Sequence, residues 1–374
     1  MDTTTMEAAL NDSNETAGHI PPKALIIANQ VNINTLLVLI MLAMGCTMTV
    51  QDIKQILVKP VAITVGALCQ FGIMPTLGFA YAHLFKLSPN MAIGTVIISC
   101  CPGGLASNFF TYWTEGDITL SVCMTTASNI LGIGMMPWCI YLYSQSWANL
   151  STTILPPARD IVISLLILLI PAAIGMLIRW KHPKFAIKFA FGLNLFMNVG
   201  FIIFVVLNVL AFLPTFQSSW RPYAVASLYP FTAFAAGYFI AWIFRRNKHQ
   251  CRTIAFETGI QNSALALSLI NLLILQNEGA SGRLSEMIIV PMLHGILALA
   301  EGFLIIGVYW FYKKVILKEE GFLKEHKERM AKARLDEFKP AKMKYDTDFM
   351  DPAKTAQMED KDAQTDFPDD GYYY

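Results

Sequence analysis

Glu257 stands with Gly259, Gln261 and Asn262 inside an apolar stretch running from about Thr253 to Ile274. An acid at membrane depth costs about 2.5–3.5 kcal/mol on insertion scales, so such a group usually marks an ion or substrate path. The glycine and amides beside it predict that the helix opens there. Irregular backbone at that depth is tolerated only where it is buried in protein or lines a cavity. A second break is written between Ile97 and Asn108, where Pro102 removes a backbone donor and Gly103 and Gly104 relax helical geometry. Ser107 and Asn108 follow it directly. Glu257 and Gln261 are four residues apart, as are Ser121 and Thr125, so each pair shares a helix face. Gln70 is a lone amide in an apolar run. All these side chains supply oxygen, which suits a hard cation. One carboxylate among neutral oxygens suits a monovalent ion better than calcium. Unwound carbonyls near Thr258 and Ile260 are further candidate ligands. Packing or backbone bonding is the blander reading of Ser121 and Thr125, but it explains Glu257 poorly. The chemistry is that of an ion-coupled carrier.

The elements that position these groups must be membrane helices. The chain is 55% hydrophobic and 15% charged, with a mean hydropathy of +0.47 over 374 residues. Several runs reach the roughly 20 apolar residues a span needs. Nine spans are read at about 32–50, 60–83, 90–110, 117–143, 160–179, 187–213, 223–244, 253–274 and 286–312. No signal peptide is visible ahead of them. A net charge of +1 and the lack of a basic, aromatic-interleaved patch exclude nucleic acid as a partner. The seven cysteines read as small packing residues.

Lysine and arginine concentrate on one set of loops, among them Lys54, Arg179, Arg245, Arg246, Lys248 and Lys313, and are sparse on the other. The positive-inside bias then predicts an extracellular N-terminus and a cytoplasmic C-terminus. Sequons at Asn11, Asn14 and Asn149 fall on the predicted outer side, as expected of glycosylation sites. Residues 1–30 read as an extracellular, glycosylated N-terminus, 31–315 as the membrane domain, and 316–374 as a largely disordered cytoplasmic tail. Spans 2–4 and 7–9 read as inverted repeats, each with a broken middle span, the best sequence pointer to a midplane binding site. A multi-span receptor would share the hydropathy but not the paired breaks with oxygen ligands at both. An intramembrane enzyme would need a catalytic pair, and neither HExxH nor paired intramembrane aspartates occur.

The segments Leu42–Met48, Gln70–Pro75, Cys100–Gly104, Ser107-Asn108, Gly116-Asp117, Leu120-Ser121, Met124–Thr126, Gly134–Pro137 and Glu257–Asn262 resemble the sodium/bile-acid symporter family, over roughly residues 30 to 315. The resemblance implies an all-α polytopic fold, with a panel of spans 1, 5 and 6 against a core of spans 2–4 and 7–9 holding two crossed broken helices. It implies a first sodium site at Ser107, Asn108, Ser121, Thr125 and Glu257. A second would use Gln70, Glu257 and Gln261 with the backbone oxygens of Thr258 and Ile260, and Asn262 would face substrate. The implied activity is plasma-membrane symport of two sodium ions with one amphipathic organic anion, without another cofactor or enzymatic chemistry. Leu105 departs from the pattern, because bile-acid carriers have a polar residue there. Sulfated steroids, bile-alcohol sulfates or a substrate outside the bile acids are therefore as open as bile acids themselves.

Overall fold

The computed structural model describes residues 23–48, 60–104, 106–148, 155–212 and 219–316. These residues are almost wholly helical, as expected where a bilayer obliges each segment to satisfy its own backbone. In chain order the helices are α1 (Lys23–Thr47), α2 (Pro60–Leu84), α3 (Pro89–Cys100), α4 (Ala106–Trp113), α5 (Ile118–Ala148) and α6 (Ala158–Lys181). They continue with α7 (Pro183–Phe212), α8 (Arg221–Ile243), α9 (Lys248–Gly259), α10 (Ser263–Gln276) and α11 (Ile289–Phe311). Among the described residues six helical segments are long and apolar enough to cross a membrane: α1, α2, α5, α6, α8 and the stretch Gly282–Val315 that contains α11. The chain is an all-α polytopic membrane protein. Helix α1 begins at Lys23 rather than near 32, because Asn29, Gln30, Asn32 and Asn34 lower the hydropathy of its first turns without breaking the helix.

Both predicted breaks are present. Helix α3 ends at Cys100 and α4 begins at Ala106, and α9 and α10 are separated at 260–262. Helix α2 is continuous but passes through a π-helical turn at Cys69–Ile73, which carries Gln70. Such turns shift the helix face by one residue and recur at functional sites. Asp117 caps α5, accepting from Leu120 N at 2.9 Å, and its own N–H donates to Thr253 Oγ1 at 2.8 Å. That cap fixes where the Ser121–Thr125 face begins relative to α9.

Helix α1 packs on α6 and α7, while α8 packs on α9 and α11. Gly45 and Gly175 let α1 and α6 meet backbone to backbone: a Cβ on Gly45 would strike the Ala172 carbonyl, and one on Gly175 the Leu42 carbonyl. Close approach through small residues is how apolar helices gain dispersion when water provides no drive. At one end of the bundle Lys313 pairs with Glu115 at 2.7 Å, and Arg252 donates to the Glu115 carbonyl. At the other, Ser88 donates to Glu286 at 2.6 Å and Gln276 to Asp160 at 3.1 Å. All seven cysteines are buried free thiols. Asn11, Asn14, Asn149, Leu105 and the tail beyond 316 lie outside the described residues.

Candidate functional site

The two breaks cross and hydrogen-bond to each other. Gly104 N donates to the Ile260 carbonyl at 2.8 Å, and Asn262 N donates to the Pro102 carbonyl at 3.0 Å. Gly103 and Gln261 form an isolated antiparallel bridge. The backbone groups freed by one broken helix are thus satisfied by the other, which resolves the cost of unpaired amides in an apolar interior. The approach requires glycine. A Cβ on Gly104 would sit 2.8 Å from the Gln261 carbonyl oxygen, and one on Gly103 would sit 3.0 Å from Glu257 Oε2.

Glu257 is 2% exposed at this crossing. Ser107 Oγ donates to its Oε1 at 2.6 Å, Ser121 Oγ donates to the same oxygen, and Thr125 Oγ1 lies 3.1 and 3.0 Å from the two carboxylate oxygens. Among the described residues no basic side chain pairs with it. Four of the five residues grouped around the predicted first site therefore meet. The fifth, Asn108, makes no hydrogen bond to Glu257, and its Oδ1 is buried without a hydrogen-bond partner. A buried amide oxygen without a proton to accept is a free oxygen ligand.

Gln70 is joined to the other side of the crossing. Its Nε2 donates to Gln261 Oε1 and to the Cys101 carbonyl, both at 2.6 Å. Gln261 Nε2 in turn donates to the Thr258 carbonyl at 2.8 Å. The carbonyls of Thr258 and Ile260 each accept one such bond, and each keeps a second lone pair.

Asn262 has a structural task beside any contact with a ligand. It is the N-cap of α10, its Oδ1 accepting from Leu265 N at 3.0 Å. It also lines a cavity of about 190 Å³ between α1, the crossing and α11. Ile33, Leu36 and Leu37 of α1 form its apolar wall, with Gln261, Asn262 and His294 at the polar end. His294 has no polar partner at helical spacing in the sequence. It is fully buried, with Nδ1 3.2 Å from Ser263 Oγ, and lines this cavity.

Ser128 is a residue that the sequence reading left out of the site. It accepts from Gly103 N at 3.3 Å and donates to the Thr125 carbonyl at 2.9 Å, bracing the first break against α5. The spacing 121, 125, 128 continues one helix face and could have identified it.

Helices α3 and α9 end at the crossing, so their unsatisfied carbonyls and negative dipole ends face it. Helices α4 and α10 begin there and present positive ends. The arrangement offers a cation one set of helix ends and an anion the other.

Comparison with known proteins agrees with this geometry. The chain is 36% identical to the human ileal sodium/bile acid cotransporter over 297 residues, covering 78% of this chain and 82% of that protein. It is 34% identical to the human sodium-dependent organic anion transporter over 287 residues, 76% of this chain and 74% of that protein. The chain belongs to the sodium/bile acid symporter family. The sequence profile described as the Sodium Bile acid symporter family matches residues 34–214. The rat hepatic sodium/bile acid cotransporter is 36% identical over 283 residues, 75% of this chain and 76% of its own. The members of this family are membrane transporters, not enzymes.

Proposed function

We propose that this protein is a sodium-coupled symporter that imports amphipathic organic anions. The observation that carries the reading is Glu257, a buried carboxylate held by three hydroxyls at the crossing of two broken helices. A buried charge without a partner is costly by several kcal/mol, and a bound sodium ion removes that cost.

The hydroxyls suit the exchange. Ser107 Oγ also lies 2.7 Å from the Gly104 carbonyl, and Thr125 Oγ1 lies 3.0 Å from the Ser121 carbonyl. Each proton can turn to a backbone acceptor, leaving an oxygen lone pair for the cation. Asn108 Oδ1 completes the first set with Ser121 and Glu257. Gln70, Gln261 and Glu257, with the Thr258 and Ile260 carbonyls, form the second. Two sodium ions with a monovalent anion move one net charge, worth about 2.3 kcal/mol per 100 mV of inward-negative potential.

Sodium ties α4, α5 and α9 together across the crossing and favours the outward-open state, because a ligand shifts an equilibrium only by its differential affinity. In this reading α1, α6 and α7 form the panel against which the remaining helices move. The protein sits in the plasma membrane, N-terminus outside and C-terminus inside, following the lysine and arginine bias. Substrate enters the cavity between α1 and the crossing. Aliphatic walls accept a steroid-like body, and Asn262, with the first turn of α10, receives the anionic end. The substrates in this reading are bile acids or sulfated steroids and bile-alcohol sulfates; the relatives' names speak of bile acids and of organic anions. Uptake of labelled taurocholate and of a sulfated steroid by transfected cells, with sodium and with choline replacing it, tests the reading. Sodium-dependent accumulation of at least one is expected, and uptake indifferent to sodium would overturn it.

A further inference from the structure

Where α8, α9 and α11 meet, a groove of about 560 Å³ opens between them and shares no lining residue with the crossing's cavity. Its floor is apolar and buried, formed by Phe234, Ala255 and Phe256. Its rim consists of exposed Phe231, Tyr238, Val308 and Tyr312, side chains that a membrane helix turns toward lipid. Lys248 and Arg252 close one end. They are four residues apart and so share a face of α9.

Arg252 is held in place. Its Nη2 donates to the Glu115 carbonyl at 2.7 Å, and its guanidinium lies 5.1 Å from the centre of the Tyr309 ring. Its Nε is buried without a hydrogen-bond partner. The carboxylate of the same Glu115 is engaged elsewhere, its Oε2 accepting from Lys313 at 2.7 Å and from Tyr309 OH at 2.8 Å. Among the described residues no carboxylate pairs with Lys248 or Arg252. The groove therefore joins an apolar trough to two cations that form no salt bridge among the described residues, at the lysine- and arginine-rich end of the bundle.

We propose that this groove binds one anionic glycerophospholipid of the adjoining leaflet. Its phosphate sits between Lys248 and Arg252, and one acyl chain lies along Phe231, Phe234 and Val308. Charge complementarity selects an anionic headgroup, since a basic residue at an anionic membrane surface strengthens attraction by about fivefold. The exposed apolar rim selects a chain-bearing ligand over free phosphate. The site is separate from Glu257 and from the substrate cavity, and the proposal does not depend on how transport is driven.

The test is native mass spectrometry of the full-length protein in detergent, titrated with dioleoyl phosphatidylserine, with dioleoyl phosphatidylcholine, or with inorganic phosphate. One phosphatidylserine is expected to be retained, more tightly than phosphatidylcholine. Lys248→Gln, which changes an exposed side chain, should weaken that retention about fivefold. Ala235→Trp, which fills the groove from an exposed position on α8, should abolish it. Thermal unfolding in lipid-free detergent, unchanged in both variants, shows that each is folded. Equal retention of the two lipids, retention unaltered in both variants, or full competition by inorganic phosphate would each overturn the proposal.

Discussion

The two breaks at the crossing are built differently. The first, Cys101–Gly104, contributes backbone: a proline that ends α3 and two glycines that let the chains touch. The second contributes side chains, because Glu257, Gln261 and Asn262 all belong to α9, α10 or the link between them. At the contact itself the first break is a backbone platform, while the second brings the carboxylate and the amides. The division has a steric origin, since chains close enough to share Gly104 N–H···O=C Ile260 at 2.8 Å leave no room for side chains on both. Equivalent topology therefore does not mean equivalent roles, and substitutions on the two sides should fail in different ways.

Glu257→Gln removes charge while keeping shape and amide hydrogen bonding. Sodium-dependent uptake is expected to fall by about two orders of magnitude or more, given about 1.5–3 kcal/mol for each hydrogen bond to a charged group. Surface biotinylation should show normal expression. Near-normal uptake at ordinary sodium would remove Glu257 from the coupling machinery.

Gly104→Ala tests the platform. The added methyl meets the Gln261 carbonyl, and overpacking of this kind costs about 1–3 kcal/mol. Both thermal stability and uptake should drop, in contrast to Glu257→Gln. Gly134→Ala, at a position with open space around it, is the matched control and should be neutral or slightly stabilising. If the two alanines behave alike, close approach at the first break is unimportant.

The contact that joins the two sides, Gln70 to Gln261, can be measured by a double-mutant cycle on the sodium concentration for half-maximal uptake. Alanine at both positions should show a coupling of about 0.5–3 kcal/mol. Additive effects would mean that the amides act separately.

Asn262 gives the smallest effect and the finest discrimination. Alanine there should cost about 0.5–2 kcal/mol through loss of the α10 cap. Serine, which also caps, should restore stability. If serine restores thermal stability but substrate affinity stays low, Asn262 contacts substrate as well as capping the helix. Recovery of both would limit it to the cap.

Much of the site was legible from composition alone. Glu257 stood out because charge in an apolar run is expensive, and both breaks were readable because proline and glycine act on their own backbone. The i, i+4 spacing of Ser121 and Thr125 placed them on one face, and Ser128 lay on its continuation. Other features were not readable. Gln70 seemed isolated until the fold joined it to a residue 191 positions away. That Asn108 Oδ1 would be buried without a hydrogen-bond partner depended on packing around the start of α4. His294 gave no local signal, since its cavity is lined by α1, α4, α10 and α11, which only the fold brings together.

The sequence by itself determined that this chain spans a membrane, where two of its helices break, and which side chain carries charge between them. Those properties follow from hydration cost and local backbone geometry, which act residue by residue. Only the tertiary structure decided how the two breaks meet, that Gln70 donates to Gln261, and that two cations border an apolar groove. Those depend on the register in which separate helices meet, and packing sets that register over the whole bundle.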